Sequence, residues 1–89
     1  MEGIALGQLV HSRAGRDKNR YFIIVGLLDE NYVLIADGDL RKFSKPKKKK
    51  IKHLVFHDKF ADDIRNALLE NKRITDADIR KSLQSMGLL

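Results

Sequence analysis

Eight of the chain's eighteen Lys and Arg residues lie between Arg41 and His53, in the run RKFSKPKKKKIKH, and no carboxylate interrupts them. A lysine ammonium is a point charge that pairs with phosphate without reading bases, so such a run can hold a polyanion but selects weakly among sequences. A second basic group, Arg13, Arg16, Lys18 and Arg20, is opposed only by Asp17. Arginine adds a planar fork that pairs with phosphate or stacks on a base. Charge is distributed unevenly: residues 1–40 balance at −2 and residues 54–89 at zero, so the net +6 arises in the middle segment. Like charge concentrated in this way repels itself, and a polyanion relieves the repulsion. Nucleic acid is the partner this chemistry implies. The candidate contacts are Arg13, Arg16, Lys18 and Arg20 with Arg41, Lys42, Lys45, Lys47, Lys48, Lys49, Lys50 and Lys52, and His53 as a supplementary cation or hydrogen-bond donor. The plainer roles are a solvated lysine loop, or charge that keeps a sheet edge from pairing with another chain.

Other chemistries find little support. The absence of cysteine removes disulfides, thiolate metal sites and cysteine nucleophiles, and is compatible with a cytoplasmic location. His53 and His57 are four apart, a usable metal spacing on a helix, but Leu54-Val55-Phe56 between them reads as strand and His11 is remote, so no metal site is expected. Asp37, Asp39, Asp62 and Asp63 fall where turns and a helix start account for them. Ser12, Ser44, Ser82 and Ser85 have no nucleophile-elbow context, and no glycine-rich phosphate loop opens a helix. The expectation is a protein that is not an enzyme and needs no cofactor. The opening MEGIALGQLVHS is too short and polar for a secretory signal, and no apolar run reaches membrane-spanning length, so no membrane partner is expected.

The elements that would position these cations read as mainly β with C-terminal α. Leu6 to Ser12 alternates as a short strand, and AGRDKNR follows with Gly15 and Asn19 suited to positive backbone angles. Tyr21 to Leu28 and Tyr32 to Ala36 are apolar, aromatic and β-branched, which favours strand. Short strands at Leu40 to Phe43 and Ile51 to Phe56 would complete a five-stranded antiparallel barrel. Tyr21, Phe22 and Tyr32 are expected to pack within it. Phe43 is expected to close the barrel, although its basic neighbours also give it access to a base. After Phe56 the composition changes. Asp58 is the expected cap of a helix carrying Phe60, Ala61, Ile64, Ala67 and Leu68, ended by Asn71-Lys72-Arg73. Thr75 and Asp78 then form a capping-box pattern, with Ile74 placed to staple onto Ile79, for a helix presenting Ile79, Leu83 and Met86 and stopping near Gly87. Two helices this short need a surface to dock on. The strands at residues 23–25 and 33–35 are apolar on both faces and offer one.

The segment Gly7 to Gly38, GQLVHSRAGRDKNRYFIIVGLLDENYVLIADG, resembles the KOW motif of large-subunit ribosomal proteins and transcription elongation factors. AGRDKNR is similar to the family's glycine-centred basic turn, with Asn19 where a second glycine often lies. The wider span, about residues 5–55, is similar to small bacterial KOW-domain RNA-binding proteins. The resemblance implies a small SH3-like barrel, and as partners ribosomal RNA, the ribosome and neighbouring ribosomal proteins. The expected organisation is a KOW barrel over residues 1–56, containing the basic segment 41–53, and a helical pair over residues 57–89 packed on it. The expected function is binding of ribosomal RNA or ribosomes through phosphates. The alternatives are a protein-interaction adaptor of the transcription or translation machinery and a DNA-binding module.

Overall fold

The computed structural model describes residues 3–88. Its strands are β1 (Gln8–Ser12), β2 (Tyr21–Leu27), β3 (Tyr32–Ala36), β4 (Lys47–Lys50) and β5 (Leu54–Phe60), followed by helices α1 (Asp62–Leu69) and α2 (Asp76–Ser85). The strands form one antiparallel sheet in the order β4-β3-β2-β1-β5. A 3-10 turn, Ile51–His53, joins the two edge strands. At that turn the Ile51 amide donates to the Asn31 carbonyl at 2.8 Å, and the Arg13 amide donates to the His53 carbonyl at 2.9 Å. The turn brings the two edges together into a small SH3-like barrel, and these bonds anchor it to the β2–β3 and β1–β2 connections.

Side-chain alternation along the strands makes two cores. Val10, Phe22, Ile24, Val33, Ile35 and Leu54 point inward and fill the barrel. Their neighbours Leu9, Ile23, Val25 and Ala36 point outward and meet Ile64 of α1 and Ile79 and Leu83 of α2. Burying a side chain of this kind is worth about 1.5–3 kcal/mol. The two-faced apolar strands therefore have the covering their sequence demanded. Thr75 accepts from the Asp78 amide at 3.1 Å while Asp78 accepts from the Thr75 amide at 2.9 Å, completing the capping box. The Thr75 amide first, and then its hydroxyl, hold the Asp78 carboxyl below its usual range. Ile74 and Ile79 are both buried in the same core, as a hydrophobic staple requires.

Three expectations are corrected. Leu40 to Phe43 is not a strand; the fourth strand is Lys47–Lys50. The buried Asp37 carboxylate accepts from the Asp39 amide at 3.0 Å and the Arg41 amide at 2.8 Å, which folds residues 37–41 into a closed turn. Asp58 caps no helix, because β5 continues past it to Phe60, which pairs with Gln8. Helix α1 starts after Ala61 with no side-chain cap, and Asp62 and Asp63 in its first turn offset the dipole instead. The change from barrel to helices thus falls at Ala61 rather than after Phe56. Finally, Phe43 closes no barrel edge: it packs on the helix-side core, its amide donating to Asp76 Oδ1 at 2.7 Å.

At Gly38, in the turn after β3, the backbone comes close to the start of α2. The Gly38 φ is +76°, an added Cβ would overlap the Asp76 carbonyl, and the Gly38 carbonyl accepts from Arg80. Gly38→Ala should therefore cost about 3 kcal/mol, from backbone strain plus steric displacement of α2. Gly87→Ala, at φ +78° in open space, carries only the strain of about 1 kcal/mol. Urea midpoints of the two variants check the difference.

Candidate nucleic-acid interface

Strand β4 is a run of four lysines, a composition poor in β propensity. It is extended because it pairs with β3: Tyr32 with Lys50, Val33 with Lys49, Leu34 with Lys48 and Ile35 with Lys47. Pro46 immediately precedes it, and its other edge has no strand partner among the described residues. Alternation splits the cations. Lys48 and Lys50 lie on the face of Tyr32, with Lys48 Nζ 4.5 Å from the Tyr32 ring centroid. Lys49 turns to the other face and reaches across the end of the barrel, where its Nζ donates to the Ala14 carbonyl at 3.2 Å. Lys47, Lys48, Lys50 and Lys52 are exposed, as are Lys42 and Lys45 on the approach to β4.

The β1–β2 connection supplies the second group. Gly15 at φ +77° and Asn19 at φ +68° adopt the left-handed angles expected of them, and a 3-10 turn spans Gly15–Asp17. The Asn19 amide donates to the Ser12 carbonyl at 2.7 Å, and Ser12 Oγ donates to the Ala14 carbonyl at 2.9 Å, so the loop is pinned at its base. Arg13, Arg16 and Lys18 stand exposed on it. Lys49 contacts Ala14, and the Arg13 amide meets His53, so the turn and the basic strand adjoin.

Two expected contacts are otherwise engaged. Arg20 pairs with Asp37, Nε to Oδ2 at 2.6 Å, and with Asp39, Nη2 to Oδ2 at 2.9 Å. The hydrogen bond to Asp37 is the main reason its guanidinium is raised above its ordinary value. Arg41 pairs with Asp17, Nη2 to Oδ2 at 3.1 Å, and Asp17 is only 2% exposed. The Arg41 Nε is buried without a partner. Both arginines therefore hold loops to the barrel rather than offering free charge. Asp17, read from sequence as the lone acid of its turn, is answered by an arginine from a distant loop.

The histidines also sort differently from their spacing. His53 sits beside Lys49, Lys50, Lys52 and Arg13; desolvation first, then these cations, push it below its ordinary value. His57 does not join it. It lies on the outer face of β5 against His11 of β1, with His11 Nδ1 and His57 Nε2 2.7 Å apart and the Tyr21 ring alongside. Burial, then His11 and then Lys59, lower His57 as well. Among the described residues no three metal-ligating side chains converge.

Sequence reasoning missed the contact of Lys48 with Tyr32 and the cleft beside it. That cleft holds about 470 Å³ and is lined by Glu30, Asn31, Tyr32, Lys50, Ile51 and Lys52. The signal was present in period-two alternation, had β4 been placed over the lysine run.

No family model matches the chain. Among curated proteins, it is 35% identical over 71 residues to ribosome-binding protein YbzG of Bacillus subtilis, a role that name gives as provisional; the match covers 80% of this chain and 96% of that one. It is 30% identical over 88 residues to the large ribosomal subunit protein eL14 of Staphylothermus marinus, covering 99% of this chain and 84% of that protein. The chain belongs to the eL14-like family. The eL14 of Desulfurococcus amylolyticus is 32% identical over the same coverage. The eL14-like match thus spans barrel and helices together, not the basic turn alone. No helix among the described residues is long and apolar enough to cross a membrane.

Proposed function

We propose that the protein binds ribosomal RNA, on the ribosome or on its large subunit, through phosphate contacts from one basic surface. The observation that carries this reading is the junction of the two cationic segments, where Lys49 bonds Ala14 and Arg13 bonds His53. In this reading the strand and the turn, distant in sequence, adjoin at Lys49 and Ala14, and Arg13, Arg16, Lys18, Lys47, Lys48, Lys50 and Lys52 would contact phosphates around that junction, with Lys42 and Lys45 leading into it. The eL14-like relatives, one named for ribosome binding and two named as large-subunit proteins, support the choice of RNA over DNA. In this reading the barrel is a KOW module. The helical pair is a second unit that stiffens the sheet from behind, with a neighbouring ribosomal protein as a further partner. The adaptor alternative needs a solvent-facing apolar stripe from Phe60, Ile64, Leu83 and Met86, but Ile64 and Leu83 are buried in the helix-side core and Met86 packs against it.

The test is filter binding to ribosomal RNA, duplex RNA and duplex DNA at several salt concentrations. Tightest binding to ribosomal RNA, with a log–log slope of about −0.7 to −0.9 per phosphate neutralised, is the expected result. Preference for duplex DNA contradicts it.

The position of His53 adds a pH dependence. Desolvation first, and then Lys52, Lys49, Lys50 and Arg13, hold it below its ordinary value in the free protein; phosphates that neutralise those cations favour its protonation, so binding takes up a proton. Affinity should therefore rise about three- to tenfold as pH falls from about 8 to about 6. His53→Gln should flatten that rise, which binding isotherms across the range will check.

A further inference from the structure

We infer that the cleft beside Tyr32 is a site for one unpaired nucleotide of the bound RNA, an inference that rests on the RNA-binding reading above. Phosphate contacts explain affinity along the basic strand, but they do not account for an aromatic ring set among lysines at its end. Tyr32 lines a cleft of about 470 Å³, within the range of small-ligand sites and large enough for a base with its ribose. Lys48 lies over the ring at 4.5 Å and is not part of the cleft lining. Lys50 and Lys52 flank the opening with charge suited to the phosphates on either side of a splayed base. Glu30 makes no ion pair among the described residues and can accept from an amino group on a base edge, as cytosine N4 or adenine N6 would offer. Fully paired A-form RNA hides its bases from a surface of this kind, so the cleft would read a bulge, a loop or a strand end.

Two hairpin RNAs that differ by a single bulged cytidine test the inference. Wild-type protein should bind the bulged hairpin about tenfold more tightly. Tyr32→Ala should remove that preference while changing affinity for the paired hairpin less than twofold, and Tyr32→Phe, which keeps the ring, should retain it. Thermal melts of both variants confirm that they fold. Equal binding of the two hairpins by wild type, with salt-dependent affinity for both, overturns the nucleotide site and leaves the phosphate surface standing. Binding of neither hairpin or of ribosomal RNA overturns both readings. Weaker association of Tyr32→Ala with ribosomes, while both hairpins bind unchanged, assigns the cleft to a protein partner and overturns the inference.

Discussion

Replacing Lys47, Lys48, Lys50 and Lys52 together with alanine should lower affinity for ribosomal RNA at about 0.1 M salt by roughly 10²- to 10³-fold and cut the salt slope by about 3. Each of these ammonium groups is exposed and lacks an ion pair among the described residues, so each is free to displace a condensed counterion. Lys49 is left in place because its Nζ ties β4 to the β1–β2 turn, and removing it would confuse lost contacts with a loosened loop. The loss should be similar for unrelated RNA sequences, because phosphate contacts carry no base information. Stability should hardly change or should rise slightly, since the variant relieves repulsion along an edge strand. Affinity and slope that survive the four substitutions would remove the basic strand from the account.

Arg41→Ala should act through folding instead. Asp17 is almost fully buried, and Arg41 is the side chain that answers its charge. Removing one member of a buried pair leaves the other desolvated and alone, at a cost of about 3–5 kcal/mol. At about 4–8 °C per kcal/mol for a domain of this size, the melting temperature should fall by at least about 12 °C. The double variant Arg41→Met with Asp17→Leu should recover much of that loss, because it leaves no stranded charge. Thermal denaturation of the three proteins, with RNA binding measured well below each transition, separates stability from affinity. Arg41→Ala with unchanged melting and weakened RNA binding would return Arg41 to the interface.

Much of the fold can be read from the chain by local rules. Strands β2 and β3 announce themselves through β-branched and aromatic runs apolar on both faces, and those two faces foretell a covering layer. The capping box of α2 needs only Thr75, Asp78 and the flanking isoleucines. What cannot be read depends on partners distant in the sequence. A tetralysine run has no propensity to be a strand, and it becomes one only by pairing with β3. Asp58 has the chemistry of a cap, yet pairing between Gln8 and Phe60 extends β5 through it. Arg20 and Arg41 look as free as their basic neighbours until tertiary structure brings Asp37 and Asp17 to them. The candidate site was therefore legible as a charge pattern, but the division between binding cations and structural ones was not.

Lysine acetylation footprinting of the protein, free and bound to purified large ribosomal subunits, addresses the central claim without altering the molecule. If a phosphate-lined surface covers the basic strand, Lys42, Lys45, Lys47, Lys48, Lys50 and Lys52 lose reactivity on binding, while Lys72 and Lys81 on the helical side keep theirs. Protection of Lys72 and Lys81 with a reactive basic strand would contradict the account and make the helices the ribosome-facing side.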